Sequence, residues 1–462
     1  MARGSKRQKK QDDFFESEDD DDVEFADGTS DEGASSEEED ALAQETAEEK
    51  RLRLAKSYLD RIQQVNEDED GEEDLTARLQ RDALESMGHL KRLIAERIVV
   101  PDPDESTARH FRCHKLSVTA VTLTSDDTTV YSVSKDGSIV ELDVETGQRT
   151  KFARATSSTS NSTTAPWLAP TARHGGRNSL LAAAVSTDGS YLAVAGASKA
   201  VHIYDTRSRT CVKSFTGHKD EVTALAFRKG THQLFSASLD RAVNIWSLED
   251  MAYVDTLFGH QSPIVGLDAL QGDRALSCGS GDRTCRLWKV PEESQLVFRA
   301  NHVNLESCAF ITQGEWITGD GMGNVQLWNT AKKKPTFTAR NAHVADSSDL
   351  DGSAGSVGGD ACRWVGSVAV CPGSDLLASG AGDGIIRLWR VSDGGRGDGG
   401  RRALEDVGAV PVRGFVNSMA IARSARFLVA GIGQEPRMGR WLRDPRARNG
   451  VFIRQLDLVE DD

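Results

Sequence analysis

The sequence predicts an all-β chain: a seven-bladed β-propeller over residues 108–458, preceded by an amphipathic helical segment at 50–100 and a disordered basic and acidic tail at 1–49. Three observations carry this reading. A short β-type ending recurs from residue 114 onward, its spacing is that of one four-stranded blade, and an extended segment just ahead of the first repeat is placed to close the ring.

The recurring endings are SIVELD (138–143), AVHIYD (200–205), AVNIWS (242–247), TCRLWK (284–289), NVQLWN (324–329) and IIRLWR (385–390). Their penultimate residues, Leu142, Tyr204, Trp246, Trp288, Trp328 and Trp389, mark one shared ring position. Tyr204, Trp246, Trp288 and Trp328 are separated by 42, 42 and 40 residues. This matches the roughly 40–45 residues of a blade, and the pattern is that of WD repeats. Alternating apolar strands open six repeats, at 118–123, 222–227, 264–270, 305–310, 365–370 and 416–421. A seventh ends in VFIRQL (451–456), where Arg454 replaces the ring aromatic. Residues 108–113 stand where CVKSFT (211–216) stands in a regular blade, so they are expected to supply the outer strand of the last blade and remove its open edge.

Two separations are longer, 62 residues from Leu142 to Tyr204 and 61 from Trp328 to Trp389. Ser, Thr and Pro fill 155–174, and Ser, Gly and Asp fill 347–360, so both read as loops inserted between strands. The Gly-rich run 392–400 lacks a following Gly-Lys-Ser/Thr and a strand-to-helix setting, and reads as a linker rather than a phosphate loop.

Ahead of the repeats, RGSKRQKK (3–10) is a basic cluster of the nuclear-import type. Residues 12–49 hold too few apolar side chains to offset the entropy of ordering, and are expected to be disordered. Ser17, Ser35 and Ser36 each precede an acidic residue by three positions, the pattern of acidophilic kinase sites. Two amphipathic helices are expected next. One spans 46–64 with Leu52, Leu54, Ala55, Leu59 and Ile62 on one stripe; the other spans 73–98 with Leu75, Leu79, Ala83, Leu90, Leu93, Ile94 and Ile98, and stops before Pro101 and Pro103. Both are too polar to form a core alone and need the body or a partner to pack on.

Charge is divided unevenly. Residues 1–106 carry 15 Lys+Arg against 33 Asp+Glu, a net of −18, and the remainder 41 against 38, a net of +3. The tail therefore repels nucleic acid, and any contact with RNA falls to the body. The 7 cysteines, Cys113, Cys211, Cys278, Cys285, Cys308, Cys362 and Cys371, are odd in number and form no C-x-x-C pair, as expected of reduced intracellular thiols. No run reaches the roughly 18–20 apolar residues of a membrane helix, and the first residues lack an apolar signal core.

Ser, His and Asp recur together. His114 and Asp136, His218 and Asp240, and His260 and Asp282 are each 22 residues apart, with serines such as Ser236 and Ser238 nearby; Asp383 and Trp389 hold the same turn and ring positions in the sixth repeat. A catalytic triad is needed once. A set repeated blade after blade belongs at the strand turns, as a structural network with Trp246, Trp288, Trp328 and Trp389. His110 and His114 share no helix and have no Cys or acidic ligand at a metal-binding spacing, so no metal, cofactor or small-molecule substrate is expected, and no enzymatic activity.

Six segments carry a more particular pattern: ETAEEKRLRLAKSYLDRIQ (45–63), HKLSVTAV (114–121), FRKGTHQLFSASLDRAVNIW (227–246), DTLFGHQ (255–261), VPEESQLVF (290–298) and GFVNSMAIARSARFLVAGIGQEPRMGRW (414–441); the WD endings among them are generic, but THQLFS, PEESQLVF and VAGIGQEPRMGRW are not required by blade geometry. In these the chain resembles the WD-repeat proteins of the U3 small nucleolar ribonucleoprotein, over roughly residues 45–458. The two Ser/Gly-rich insertions, the Gly-rich linker and the acidic N-terminus depart from the family pattern. The resemblance implies nuclear, nucleolar residence and recognition of the box B/C region of U3 snoRNA together with the small kink-turn-binding protein there. It also implies association with other small-subunit processome proteins and a role in pre-rRNA processing and small-subunit biogenesis.

A propeller has no helix for a groove, so RNA contact is expected from loop cations. QEPRMGRWLRDPRARN (434–449) places Arg437, Arg440, Arg443, Arg446 and Arg448 around Trp441, guanidinium forks beside an aromatic platform. Lys332, Lys333 and Lys334 form a second basic spot, and Arg228 and Lys229 a similar one. The competing reading is a protein scaffold of the same machinery without RNA contact.

Overall fold

A computed structural model describes residues 92–99, 108–152, 179–270, 272–301, 303–343, 363–392 and 402–458. The chain divides into two units, 1–75 and 76–462, and everything described belongs to the second. The tail, the first amphipathic helix, the second helix up to residue 91, the insertions at 155–174 and 347–360 and most of the Gly-rich linker lie outside the described residues.

Seven four-stranded antiparallel sheets form the body. Blade 3 shows the unit: Val222–Phe227, Gln233–Ser238, Ala242–Ser247 and Ala252–Phe258 pair in sequence order from the axis outward. Blades 1, 2, 4, 5 and 6 repeat it over 118–151, 180–216, 264–299, 305–339 and 367–411. Blade 7 takes three strands from 415–455 and its fourth, Ala108–Phe111, from the segment ahead of blade 1, in the register Ala108↔Arg454 to Phe111↔Val451. The expected closing strand is thus observed. Arg454 occupies the ring position opposite Leu428 and is buried there. The inner strand of blade 2, Leu180–Val185, reads LLAAAV; its near-continuous apolar run directly after the inserted loop gave no alternation to read.

The core lies between blades. Ala224, Phe235, Val243 and Ile245 of blade 3 pack on Ile264, Leu267, Ala275 and Trp288 of blade 4. Val118, Val121 and Val130 of blade 1 pack on Val429, Val451 and Ile453 of blade 7, so the first and last blades share a core as any two neighbours do. Each such fully buried side chain contributes about 1.5–3 kcal/mol.

Six of the seven inner strands carry a one-residue bulge near their first residue, at Thr119, Leu181, Thr223, Val265, Glu306 and Asn417. A bulge leaves its residue outside the ladder and re-aims its side chain. Thr119 and Thr223 use theirs to donate to the neighbouring inner strand, at Leu180 O (2.7 Å) and Ile264 O (2.6 Å), and Asn417 Nδ2 donates to Val118 O (2.7 Å) across the closure.

One expectation is corrected. The helical stripe was expected to run to Ile98, yet residues 92–99 contain only a single 3-10 turn, Ala95–Arg97, and a two-residue strand, Ile98–Val99, paired with Asp457–Leu458. Blade 6 captures the backbone that a helix would have satisfied internally. Arg92 N donates to Gly373 O (2.8 Å), Asp375 N donates to Arg92 O (3.1 Å), and the fully buried Asp375 accepts Ile94 N (2.8 Å) and Ala95 N (3.1 Å) through Oδ1. Ala95 and Ile98 bury against blades 6 and 7 while Leu93 stays exposed, a pattern of period three that helix and strap share.

Asp375→Ala would leave two backbone N–H groups without their acceptor, at about 1–3 kcal/mol each. The expected outcome is a lower unfolding midpoint together with proteolytic cutting in 92–107; an uncut, equally stable variant would refute the strap.

Candidate nucleic-acid interface

Alternate turns of a meander lie at opposite ends of its sheet. Links between blades and the turns joining second to third strands therefore share one face, here the upper face; turns joining first to second and third to fourth strands share the lower one.

The histidine network lies at the upper ends of the blades. In blade 3, His218 Nδ1 lies 3.0 Å from Asp240 Oδ2 and Nε2 lies 2.7 Å from Ser236 Oγ, which also accepts Trp246 Nε1–H at 2.8 Å. Blade 4 repeats this with His260, Asp282, Ser277 and Trp288, each contact at 2.8 Å. Blade 6 repeats it with His343, Asp383, Ser379 and Trp389, at 2.9, 2.7 and 2.8 Å. His343 escaped sequence reading because the insertion at 347–360 widens its separation from Asp383 to 40 residues. Ser236, Ser277 and Ser379 are fully buried, each tied to His and Trp, so no hydroxyl is presented to a substrate.

Two members differ from expectation. Ser138 stands between His114 and Asp136: His114 Nδ1 meets Ser138 Oγ at 2.6 Å while Asp136 Oδ1 lies 3.9 Å away and accepts the Ser138 hydroxyl, so the direct pair is not made. In blade 5, Trp328 Nε1 donates to Thr318 Oγ1 (2.9 Å), and the buried Asp320 accepts Asn324 Nδ2 (2.8 Å) and Gln326 Nε2 (3.1 Å) in place of a histidine. Burial opposes ionisation of Asp240 and Asp282, but the histidine contacts and turn N–H groups outweigh it and hold both near pKa 2.

The arginine loop, 434–449, is the enlarged upper turn of blade 7. Gln434 pins its two ends: its N–H donates to Asn449 Oδ1 (2.8 Å), its Nε2 to Ala447 O (2.8 Å), and its carbonyl accepts Asp444 N (2.8 Å). Lys135 of blade 1 donates to Gly439 O (2.7 Å) and pairs with Glu435 at 3.4 Å. Gly439 has φ +85°, and a Cβ there would lie 1.7 Å from the Trp441 ring, so only glycine lets the chain turn under that indole. Met438 packs on the core of blades 4 and 5, across the axis from blade 7.

The structure splits the predicted arginines into two groups. Arg437 is a correction: its guanidinium turns inward and donates from Nη2 to Val265 O of blade 4 (2.6 Å), with Glu306 nearby. Desolvation lowers its pKa, and the nearby Glu306 carboxylate opposes that. Through Nη2 it pegs the loop across the ring, unlike the four arginines of the loop that stand in solvent. Arg440, Arg443, Arg446 and Arg448 are exposed. Trp441 is 70% exposed, its ring centroid 6.5 Å from that of Trp364. Arg440 leans on Glu435 (3.6 Å) and Arg443 Nη2 donates to Gln434 Oε1 (3.1 Å). Lys332, Lys333 and Lys334 are exposed between the third and fourth strands of blade 5, hence on the lower face, and Arg228 and Lys229 are on that face too. The basic spots are thus not brought together. Trp364, Glu306 and Lys135, which the loop sits on, carry no local sequence signal.

These features define a WD-repeat β-propeller, and the model of the WD domain, G-beta repeat, matches residues 105–140, 209–247, 251–289 and 356–390. Human U3 small nucleolar RNA-interacting protein 2 is 44% identical over 90% of this chain and 83% of its own length. The Arabidopsis thaliana U3 snoRNP-associated protein-like EMB2271 is 40% identical over 93% and 90%. A solved structure of U3-55K, 38% identical, superposes with a TM-score of 0.65 over 76% of this chain and 99% of that one. The chain belongs to the family of U3 snoRNP WD-repeat proteins.

Ser277→Ala would strip His260 and Trp288 of one shared, buried partner, at about 1–3 kcal/mol for each polar group left unpaired. The expected result is a clearly lower denaturation midpoint; a wild-type midpoint would count against the network as a source of stability.

Burial lowers His114 and His202 to about pKa 4, below the usual 6.5. Between those values the unfolded chain binds protons that the folded one refuses, so stability falls as pH falls from 6.5 toward 4, by at most about 1.4 kcal/mol per pH unit for each histidine. Urea midpoints measured from pH 7 to 4.5 are expected to drop, with a shallower drop in His202→Gln; a slope unaltered by that change would discard the assignment.

Proposed function

We propose that this chain binds U3 snoRNA directly, in the box B/C region and beside the small kink-turn-binding protein. It serves there as a non-enzymatic component of the small-subunit processome, acting in the nucleolus in pre-rRNA processing. The observation that supports RNA contact is the loop at 434–449: Arg440, Arg443, Arg446 and Arg448 stand in solvent around an exposed indole, on a loop pinned at both ends and pegged across the axis. Guanidinium forks suit phosphate, and an exposed indole suits an unstacked base. The human relative's name, which states an interaction with U3 small nucleolar RNA, points the same way.

A protein-binding role is favoured by a separate feature. Val212, Tyr253, Val254, Phe258 and Leu296 are exposed on the outer strands of blades 2, 3 and 4, an apolar stretch of rim suited to other processome proteins.

Replacing Arg440, Arg443 and Arg446 by Gln is expected to weaken U3 RNA binding and flatten its salt dependence by roughly 0.7–1 in log–log slope per lost phosphate contact, with the unfolding midpoint unchanged. Arg437→Gln is expected to do the reverse, lowering the midpoint first. U3 RNA binding with wild-type affinity and salt slope in the triple variant would remove the loop as the contact, and the absence of any ultraviolet adduct between the wild-type chain and U3 RNA would leave only the protein-scaffold reading.

A further inference from the structure

Between the arginine loop and the upper ends of blades 5–7 lies a small open cleft, lined by the rings of Trp364, Phe415 and Trp441 and by Glu306 and Arg437. Trp364 and Phe415 lie nearly parallel, 15° apart with centroids at 6.1 Å, and Trp441 leans over Trp364 at 55°. Gly366 also lines the cleft, beside the Trp364 ring. We infer that this cleft receives one unstacked base of the bound RNA, with guanine as the base its floor fits.

The floor carries the discrimination. Glu306 is the bulged residue of the blade 5 inner strand, which is why its carboxylate points out of the ladder; Ser280 donates to Oε1 (3.3 Å), and Oε2 has no hydrogen-bond partner among the described residues. Arg437 spends Nη2 on Val265 O and retains Nε and Nη1 without a protein acceptor among the described residues. An acceptor thus lies beside a donor under a set of aromatic faces. Guanine is the base whose pairing edge presents two adjacent N–H donors next to a carbonyl, so it satisfies a carboxylate and a guanidinium together; adenine, cytosine and uracil bring one donor group at most to the carboxylate. A cationic peptide side chain, the other common guest of aromatic walls and a carboxylate, is disfavoured because the Arg437 guanidinium shares the cleft with Glu306 and the exposed Arg440 and Arg443 lie close to Trp441 in the loop.

This inference rests on the RNA-binding reading, and the experiment separates the two. Fluorescence-labelled UUUUU, UUGUU, UUAUU and UUCUU are titrated against the full chain at one salt concentration, with tryptophan quenching as a second readout. UUGUU is expected to bind about tenfold more tightly than the others, within the range of one good bidentate base contact. Glu306→Gln is expected to abolish that preference while leaving UUUUU affinity unchanged. Trp441→Ala, an exposed position, is expected to weaken all four by about tenfold, as loss of a stacking platform does. The Arg440, Arg443 and Arg446 variant should weaken all four and keep their ratio. Equal affinities for the four oligonucleotides, with U3 RNA still bound, would overturn the base pocket and leave the RNA reading standing. Binding of neither oligonucleotides nor U3 RNA would remove both. Tighter, Glu306-dependent quenching by an arginine- or lysine-containing peptide would overturn the base in favour of a peptide guest.

Discussion

The seven blades depend on one antiparallel pairing, four residues long, between Ala108–Phe111 and Gly450–Gln455. Without it blade 7 would end in an unpaired strand, and the seam between blades 7 and 1 would rest on side-chain packing and a few hydrogen bonds such as Asn417 Nδ2 to Val118 O. The pairing joins residues more than 330 positions apart, and the entropy of closing so long a loop grows only slowly with its length. Asn417 reaching Val118 O at the inner strand and Val118 packing on Val429 and Val451 make the seam chemically equivalent to any other junction. The strap at 92–99 then holds the chain to blades 6 and 7 just ahead of the closing strand.

From a closed ring the upper face follows. A bulge near the start of an inner strand turns one side chain out of its ladder in six of the seven blades. Where that residue is Thr, Asn or Leu it joins neighbouring blades or packs. In blade 5 it is Glu306, and in blade 4 the bulged Val265 offers its carbonyl to Arg437. The arginine loop can lie across the ring only because these positions, on the side facing blade 7, receive it. Lys135 and Gly439 fasten its near side. Exposed arginines on a loop held at three points lose little conformational freedom on binding, which is what lets a surface loop contribute to affinity.

Blade number, blade order and the closing strand were legible in sequence because they rest on local patterns: the ring aromatic and the 40–42-residue spacing report a structure made of like units. The blade 2 inner strand was not, since LLAAAV is buried on both faces and does not alternate. His343 was hidden by an insertion that broke its spacing, and the His114–Asp136 pair was over-read because an interval of 22 residues says nothing of Ser138 between the two side chains. The end of the second helix was misjudged for a related reason. Leu93, Ile94 and Ile98 have helical spacing, but Asp375, nearly 280 positions away, supplies the acceptor that holds this backbone in another form.

The same distinction explains the candidate site. Composition marked 434–449 as basic and aromatic, and four of its five arginines are on the surface as a charge count would have them. It could not mark the fifth, because whether a guanidinium faces solvent or the axis is decided by a carbonyl in blade 4 and a carboxylate in blade 5, not by its neighbours in the chain. Arginine is unusually suited to both duties: always charged, weakly hydrated and forked, it can be partly desolvated against a carbonyl as readily as it meets phosphate. One loop thereby uses the same residue type as a peg and as exposed charge. The peg is what gives the exposed arginines a fixed place to stand.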